Sequence, residues 1–344
     1  MAEVNLKKIA EEAGVSITLV SLVLNNKKTR VSKTTKQRIL DTAKKYNYVP
    51  NRLASGLKSK KTHIIAILAP FTPNGFFSEL IYYIERRAMK KGYIAVVINT
   101  FHDPKKEEES LTLYKSNLYD GMLISSLSNS SSKNVYKDMK ESEFPFVFID
   151  RYTKNINADI VSSDHYKVSY DMTTKALNKG GDNILFLYRK NQVITSTAEL
   201  RMKGYRDAIK AASKEPLMQT FTLSDEVKCP KTNLCEKLNQ IEESFDSVFL
   251  YSGYYLPYFL EALNKSKFKD KTLNIYTVDS IDLDQSWLGS LNQVERLNNH
   301  FVTVIQDIKA IAETATDRLV DKIENNLDLE DNKEIFIPTT YFEG

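Results

Sequence analysis

Residues 5–25 read Asn-Leu-Lys-Lys-Ile-Ala-Glu-Glu-Ala-Gly-Val-Ser-Ile-Thr-Leu-Val-Ser-Leu-Val-Leu-Asn, and no other stretch constrains the fold as tightly. Leu6, Ile9, Ala10 and Ala13 recur at the spacing of one helix face. Gly14 follows at once, where a left-handed residue closes a helix with least strain. Val15 is set to pack between two helices. Ser16 suits an N-cap, because its hydroxyl can accept an orphan backbone N–H. Val20, Val23 and Leu24 supply a second apolar face. Ile39, Leu40, Ala43 and Tyr46 supply a third, behind Ser32 as a further N-cap with a basic first turn. Three short helices with this turn form a helix-turn-helix, whose dominant use is to lay the second helix in the major groove of DNA.

An ordinary helical hairpin would share the glycine turn, and charge separates the two readings. Residues 1–61 hold 11 Lys and 3 Arg against 3 Glu and 1 Asp, a net of +10, whereas the remainder nets −6. A total of +4 therefore hides a strongly basic head, the electrostatic footprint of phosphate contact.

The head resembles the lactose-repressor (LacI/GalR) family of bacterial transcription regulators. The matching residues are Ile9-Ala10, Ala13-Gly14-Val15-Ser16, Val20-Ser21, Val23-Leu24-Asn25, Val31-Ser32 and Tyr48-Val49-Pro50-Asn51, with Ala54 and Leu57. The resemblance implies DNA contacts from Leu6, Ser16, Ile17, Thr18, Ser21, Leu22, Asn25, Thr29 and Arg30. It also implies a hinge helix that enters the minor groove, with contacts from Asn51, Arg52, Ala54, Leu57 and Lys58. Pro50 can open that helix. About two turns are marginal alone in water, so the helix is expected to form only with DNA and a second chain. Leu57 matches the family's wedge, and such apolar wedges kink DNA. Where the family usually carries Arg two residues after Val20, this chain has Leu22. Where the family commonly carries Thr, it has Leu19. Ser16, Ile17, Thr18, Ser21 and Leu22 offer no bidentate base contact, but Ile17, the Thr18 methyl and Leu22 can touch thymine methyls. This predicts a half-site poor in G·C at those positions, read more through shape and the hinge. The alternative is that Leu22 packs and Asn25 or Asn26 reads.

A chain of 344 residues needs further compact units beyond this head. From His63 onward strand and helix patterns alternate: strands at 63–70, 93–99, 121–125, 146–150, 183–188, 247–251 and 273–278; helices at 77–91, 105–117, 166–179, 199–213 and 255–264. Short apolar runs between helices indicate parallel sheets, and two such series indicate two lobes with a ligand crevice at the carboxyl ends of the strands. The resemblance continues in diluted form. It rests on Asn74-Gly75-Phe76-Phe77, Tyr119-Asp120-Gly121, Phe148-Ile149-Asp150-Arg151, Ser163-Asp164, Arg201 with Gly204-Tyr205, Val278-Asp279, and Val302-Thr303-Val304 with Gln306. It implies a periplasmic-binding-protein-like core. The fold class is therefore α/β, an N-terminal helix-turn-helix domain plus a two-lobed core with parallel sheets. The expected domains are a DNA-binding domain at 1–50, a hinge at 51–61 and an effector-binding and dimerisation core at 62–344. Within it, 62–160 and 291–328 form the first lobe, 161–290 and 329–344 the second, and the chain crosses near 160, 290 and 330.

The expected effector site holds Asn74, Phe76, Phe77, Asp150, Arg201, Ser252, Asp279 and Gln306. Two carboxylates and a guanidinium suit a polyhydroxylated ligand, since each can fork onto paired hydroxyls. Phe76, Phe77, Tyr254 and Trp287 are candidates for a stacking face. Family sugar sites often carry Asn-Asp where Ser252-Gly253 stands here, and the tract 280–299 is unusually polar, so a non-sugar metabolite or a protein corepressor stays open beside a sugar.

Enzyme signatures are missing from the sequence: no Gly-x-Gly-x-x-Gly after a strand, no Walker-type Gly-Lys-Ser/Thr and no Gly-x-Ser-x-Gly. His63, His102, His165 and His300 are scattered without a paired nucleophile, and His63 and His300 read as structural. Cys229 and Cys235 lack zinc spacing. No catalytic residue, metal or cofactor is expected. Without a signal peptide or an apolar run of membrane length, the chain is expected in a bacterial cytoplasm, on the nucleoid when bound to DNA. The expected partners are a double-stranded operator, a small effector, a second copy of the chain and, as the alternative, a protein corepressor. Segment 305–325 reads as an amphipathic helix. The family's tetramerising C-terminal helix is missing after Glu334–Ile337, which favours a dimer.

Overall fold

The computed structural model describes residues 5–24, 29–48, 61–70, 75–127, 132–190, 194–224, 231–279 and 301–343. The chain divides into two compact units, Met1–Thr62 and His63–Gly344.

The first unit holds α1 (Leu6–Ala13), α2 (Ile17–Leu24) and α3 (Lys33–Lys45). Asn5 caps α1 by accepting from Lys8 N at 3.1 Å, Ser16 caps α2 by accepting from Leu19 N at 3.2 Å, and Ser32 caps α3 by accepting from Thr35 N at 3.1 Å. Gly14 has φ +60°, the left-handed stop its position required. Ile9, Ala10, Ala13, Val20, Val23 and Ile39 close the small core, with Leu6, Val15, Leu19, Leu24 and Tyr46 packed on it. Leu40 was expected in that core but is 38% exposed. It directly follows Ile39, and the helical step turns it away from the apolar face.

The second unit contains two sheets, each six-stranded among the described residues. The first is built from β1 (Ile64–Ala69), β2 (Ile94–Asn99), β3 (Gly121–Ile124), β4 (Phe146–Ile149), β5 (Asp159–Ser162) and β11 (Glu334–Phe336), ordered β11-β5-β4-β3-β1-β2 with every pairing parallel. In β1, Ile65 and Ile67 face one core while Ala66 and Leu68 face the other. Helices α4 (Gly75–Lys90) and α11 (Ile308–Ile323) cover the first face; α5 (Pro104–Leu111) and α6 (Lys133–Glu141) cover the second. Burial on both faces explains why these strands read as continuous apolar runs rather than alternating ones.

The second sheet runs β12-β10-β9-β8-β6-β7, from β6 (Ile184–Arg189), β7 (Leu217–Phe221), β8 (Ser247–Leu250), β9 (Asn274–Val278), β10 (Phe301–Gln306) and β12 (Thr339–Glu343). Only the β10–β12 pairing is antiparallel. Helices α7 (His165–Asn178) and α8 (Ser196–Ala211) pack on one face, and α9 (Leu234–Asn239) and α10 (Leu256–Lys265) on the other. Gly204 lets α7 and α8 approach, since a Cβ there would sit 2.9 Å from Tyr170 N and closer still to Tyr166 O.

Two of the expected lobe crossings move. Residues 301–306 were expected in the first lobe but form β10, which pairs in parallel with β9 and buries Val302 and Val304 in the second core. The chain returns to the first lobe only at Asp307, whose side chain caps α11 through Ala310 N at 2.9 Å. Residues 334–336 were expected in the second lobe but extend the first sheet beside β5, and the last crossing falls at Ile337–Pro338. The first crossing, after β5, lies close to residue 160.

Candidate functional site: the recognition helix and the inter-lobe cleft

In the head, α2 turns Val20 and Val23 inward and leaves Ser16, Ile17 and Thr18 exposed, with Ile17 46% exposed. Ser21 and Leu22 are half-buried, and Leu22 stands outside the set of side chains packed on the core. Leu19 and Leu6 do pack there, so the apolar character of the outward face comes from Ile17 and Leu22 rather than from Leu19. Thr29 is half-buried and Arg30 exposed. Lys33 and Lys36, in the first turns of α3, are exposed as well. Glu12 is occupied within the head: Lys45 Nζ lies 3.3 Å from its Oε1, and the Tyr46 hydroxyl with Lys45 holds its carboxyl below the usual range. The expected DNA contacts Asn25, Asn51, Arg52, Ala54, Leu57 and Lys58 lie outside the described residues.

In the second unit, the residues singled out at strand ends converge. Asp150 directly follows β4 with φ +60°, and Asp279 directly follows β9 with φ +79°. Left-handed backbone is uncommon outside glycine, though Asp tolerates it, and it clusters at ligand sites. Asp150 is 4% exposed and its Oδ1 lies 3.0 Å from His165 Nε2, at the start of α7. Arg201, also 4% exposed, faces the other side of the same ring, with Nε and Nη2 at 3.3 and 3.1 Å from His165 Nδ1. Its Nη1 donates to Tyr251 O at 2.6 Å and lies 3.8 Å from Asp279 Oδ2. Gln306 Nε2 donates to Asp279 Oδ1, while its buried Oε1 has no partner. Thr303 Oγ1 donates to the Asp279 carbonyl at 2.8 Å. Asp150, Arg201, Asp279 and Gln306 are thus one connected polar group spanning both lobes, completed by His165.

Burial pushes the Asp150 carboxyl up, but the hydrogen bond from His165 and the charges of Arg151 and Arg201 prevail and hold it below the usual carboxylate range. Burial and the Arg201 charge push the His165 imidazole below its ordinary value, against the opposing pull of Asp150. The ring is therefore neutral near pH 7, with Nε2–H donating to Asp150 and Nδ1 accepting from Arg201.

The remaining expected residues fall elsewhere. Phe77 is 1% exposed in the first-lobe core, and the Arg151 guanidinium sits 5.1 Å from its ring centroid. The stacking face expected of Phe77 is therefore already covered by a side chain of the protein. Phe76 is half-buried against the same core, and Tyr254 against the second. Ser252 is half-buried, ahead of a 3₁₀ turn at Gly253–Tyr255, and makes no capping bond. Gly253 is dictated by crowding: a Cβ there would meet Asp279 O at 2.7 Å, so a side chain would disturb the aspartate that the site needs. Asn74, Trp287 and the tract 280–299 lie outside the described residues. Sequence reasoning missed His165 and undervalued Arg151. His165 directly follows Ser163-Asp164, and Arg151 closes the run Phe148-Ile149-Asp150-Arg151. Arg151 Nε and Nη1 are buried without a hydrogen-bond partner, although Nε lies 3.7 Å from Asp150 Oδ2, and Ser125 Oγ and Ser163 Oγ are likewise buried without a hydrogen bond. These residues end the adjacent strands β4, β3 and β5, so unspent polar groups line the carboxyl edge of the first sheet.

Among the described residues, no helix is long and apolar enough to cross a membrane, and no group of three or more His, Cys, Asp or Glu could hold a metal.

Comparison with known proteins fits both units. Residues 5–51 match the family model of bacterial regulatory proteins of the lacI family, and residues 62–228 match that of periplasmic binding proteins and the sugar binding domain of the LacI family. The chain is 31% identical over 205 residues to the HTH-type transcriptional regulator DegA of Bacillus subtilis (strain 168), covering 59% of this chain and 60% of that protein. It is 29% identical over 332 residues to the sucrose operon repressor of Lactococcus lactis subsp. lactis, covering 95% of this chain and 96% of that one. Its fold matches the lac repressor dimer bound to operator and the anti-inducer ONPF with a TM-score of 0.79, at 17% identity, over 98% of this chain and 97% of that one. These relatives are transcriptional regulators and repressors rather than enzymes, and this chain belongs to the LacI family of bacterial regulatory proteins.

Proposed function

We propose that the protein is a repressor that binds a pseudo-palindromic operator as a homodimer and is controlled by a sugar or sugar derivative in the cleft between its lobes. The observation that carries the effector reading is the convergence of Asp150, Arg201, Asp279 and Gln306 from four separate elements at the carboxyl ends of the strands. Carboxylates, an amide and a guanidinium offer both acceptors and donors, as paired hydroxyls require. The sugar named in the sucrose operon repressor points the same way. For the dimer, the support is an apolar edge: among the described residues β2 ends its sheet, and Ile94, Val96 and Val97 are 47, 37 and 37% exposed, with Met89 of α4 exposed at 71%. An unpaired apolar edge of this kind invites a second chain. Two recognition helices then meet two half-sites, and the effector acts only through its preference between lobe arrangements. The domain division at residues 50 and 61 belongs to this reading, as does a cytoplasmic site of action on DNA.

Selection from random duplexes with the full-length protein, followed by a thermal-shift screen of sugars and phosphosugars, tests both halves. A two-fold-symmetric site poor in G·C opposite Ile17 and Leu22, and stabilisation by a sugar, are the expected results. A ligand at a hundred times its dissociation constant adds roughly 2.7 kcal/mol. Binding without sequence preference would refute the repressor reading, and a response only to a protein partner would replace the sugar.

A further inference from the structure

The Arg201 fork is spent in an unusual way. The Nε–Nη2 edge of a guanidinium is shaped to grip two oxygens at once. Here both nitrogens converge on a single atom, His165 Nδ1, at 3.3 and 3.1 Å. The other ring nitrogen takes Asp150 at 3.0 Å. One imidazole, 1% exposed, thus occupies both the acceptor and the donor that a polyhydroxylated ligand would seek. It also joins the lobes, because Asp150 follows β4 of the first sheet while His165 and Arg201 stand on α7 and α8 of the second lobe. The same seam holds two further ties from residues 150–154 to α8: Tyr152 N donates to Ser196 Oγ at 3.0 Å, and Lys154 Nζ to Glu199 Oε1 at 2.5 Å. The charged groups acting on the ring are Asp150, Arg201 and Asp279.

We infer that His165 is a built-in stand-in for the effector: it fills the Arg201 fork and the Asp150 carboxylate, latches the lobes through them, and leaves when a ligand with paired oxygens takes its place. This rests on the proposal that the cleft binds a small effector. A ligand bearing a vicinal diol, carboxylate or phosphate supplies the two acceptors the fork is built for, and its hydroxyl replaces Nε2–H at Asp150. Displacement removes one inter-lobe tie, so occupancy of the cleft is transmitted to the lobe arrangement by a side chain of the protein.

The test uses the full-length protein with ¹⁵N-labelled histidine and, separately, nitroxide pairs on Lys137→Cys and Lys210→Cys in a chain with Cys229→Ser and Cys235→Ser. In the ligand-free protein the His165 ring is expected as the neutral Nε2–H tautomer, unchanged through the pH range where an ordinary histidine titrates. His165→Ala is expected to lengthen or broaden the inter-lobe distance distribution, and His165→Asn serves as the second variant if the alanine chain fails to fold. Sucrose, cellobiose, glucose and glucose 6-phosphate are the probes. Any that stabilises the protein is expected to shift the His165 signals and to bind His165→Ala at least about tenfold more tightly, a gain of roughly 1.4 kcal/mol. Titration of His165 in the ordinary range, an unchanged distance distribution, or a bound probe that leaves the His165 signals unmoved would each overturn the inference. If none of the probes binds, the sugar reading loses its support, while the tautomer and distance measurements still decide the latch.

Discussion

Asp159 and Lys322 are both almost sealed from solvent, at 0 and 2% exposure, with Nζ of the lysine 3.2 Å from Oδ2 of the aspartate. Arg318 Nη2 takes the other oxygen at 2.7 Å, and the Lys333 backbone N–H donates to that oxygen at 2.8 Å. Lys322 also donates to Leu329 O and to Asn332 Oδ1, each at 2.9 Å. One carboxylate at the start of β5 thus fastens α11 and the strand that follows it to the first lobe. This is the part of the chain that arrives last, from the second lobe.

Removing that carboxylate leaves the buried Lys322 and the half-buried Arg318 without their shared counterion. Asp159→Ala is expected to destabilise the protein by about 3–5 kcal/mol, since breaking a buried pair costs more than the pair ever contributed. Asp159→Leu combined with Lys322→Met is expected to recover part of the loss, because the sealed lysine charge is removed with its counterion while Arg318 keeps Asp331 Oδ2 at 3.6 Å. Urea denaturation of the three proteins checks this. Equal stability of Asp159→Ala and wild type would show that the cluster is not a fastening.

Glu107 supplies a pH dependence with a definite sign. It is 0% exposed on α5, with Ser126 Oγ donating to Oε1 at 3.1 Å and Leu127 N donating to Oε2 at 2.7 Å. Burial outweighs these bonds and the Arg151 charge, and raises the carboxyl from 4.5 to about 7. The folded state therefore holds a proton that the unfolded state releases, so this contribution is complete below pH 4.5 and is lost as pH rises through about 7. The full span corresponds to roughly 3 kcal/mol. Glu107→Gln is expected to flatten the stability profile between those values and to gain stability at alkaline pH. Denaturation midpoints measured across the range check it, and an unaltered slope in the glutamine variant would count against it.

What the sequence revealed depended on how local the signal was. The head was legible to single caps, because Gly14, Ser16 and Ser32 act on neighbours within four residues. Strands β1, β3, β4 and β8 were legible because burial on both faces makes them apolar throughout. Strands β10 and β12 were misplaced or missed because their identity is set by partners distant in sequence: Thr303 opposite Thr277 and Phe342 opposite Thr303. In the site, Asp150 and Asp279 were visible as polar residues ending apolar runs. His165 was not, since its role comes from Arg201, 36 residues away on another helix.

The β2 edge predicts the assembly. Val96 and Val97 stand on opposite faces of a strand whose outer edge has no neighbour among the described residues, and both are about one-third exposed. Val96→Lys with Val97→Asp is expected to convert a dimer to a monomer in sedimentation velocity with little change in melting temperature beyond the loss of association. Operator affinity falls with it, because one half-site then binds alone. A dimer that persists in the double variant would place the interface elsewhere.

Leu22 sets the last expectation. It is half-buried on α2 but takes no part in the core that Val20 and Val23 close, so truncation is expected to leave the head folded. Leu22→Ala should cost less than about 1 kcal/mol of stability, as surface changes away from packed features usually do. Its effect should appear in binding instead, as a loss of preference for thymine at the position read, worth about 1 kcal/mol or more. Leu22→Arg goes further: it adds a bidentate donor that can grip guanine O6 and N7, and is expected to shift the selected half-site toward G·C at that position. Parallel selections from random duplexes with the three proteins make the comparison directly. If Leu22→Arg returns the wild-type half-site and Leu22→Ala unfolds the head, Leu22 is a packing residue and the reading falls to residues C-terminal to α2.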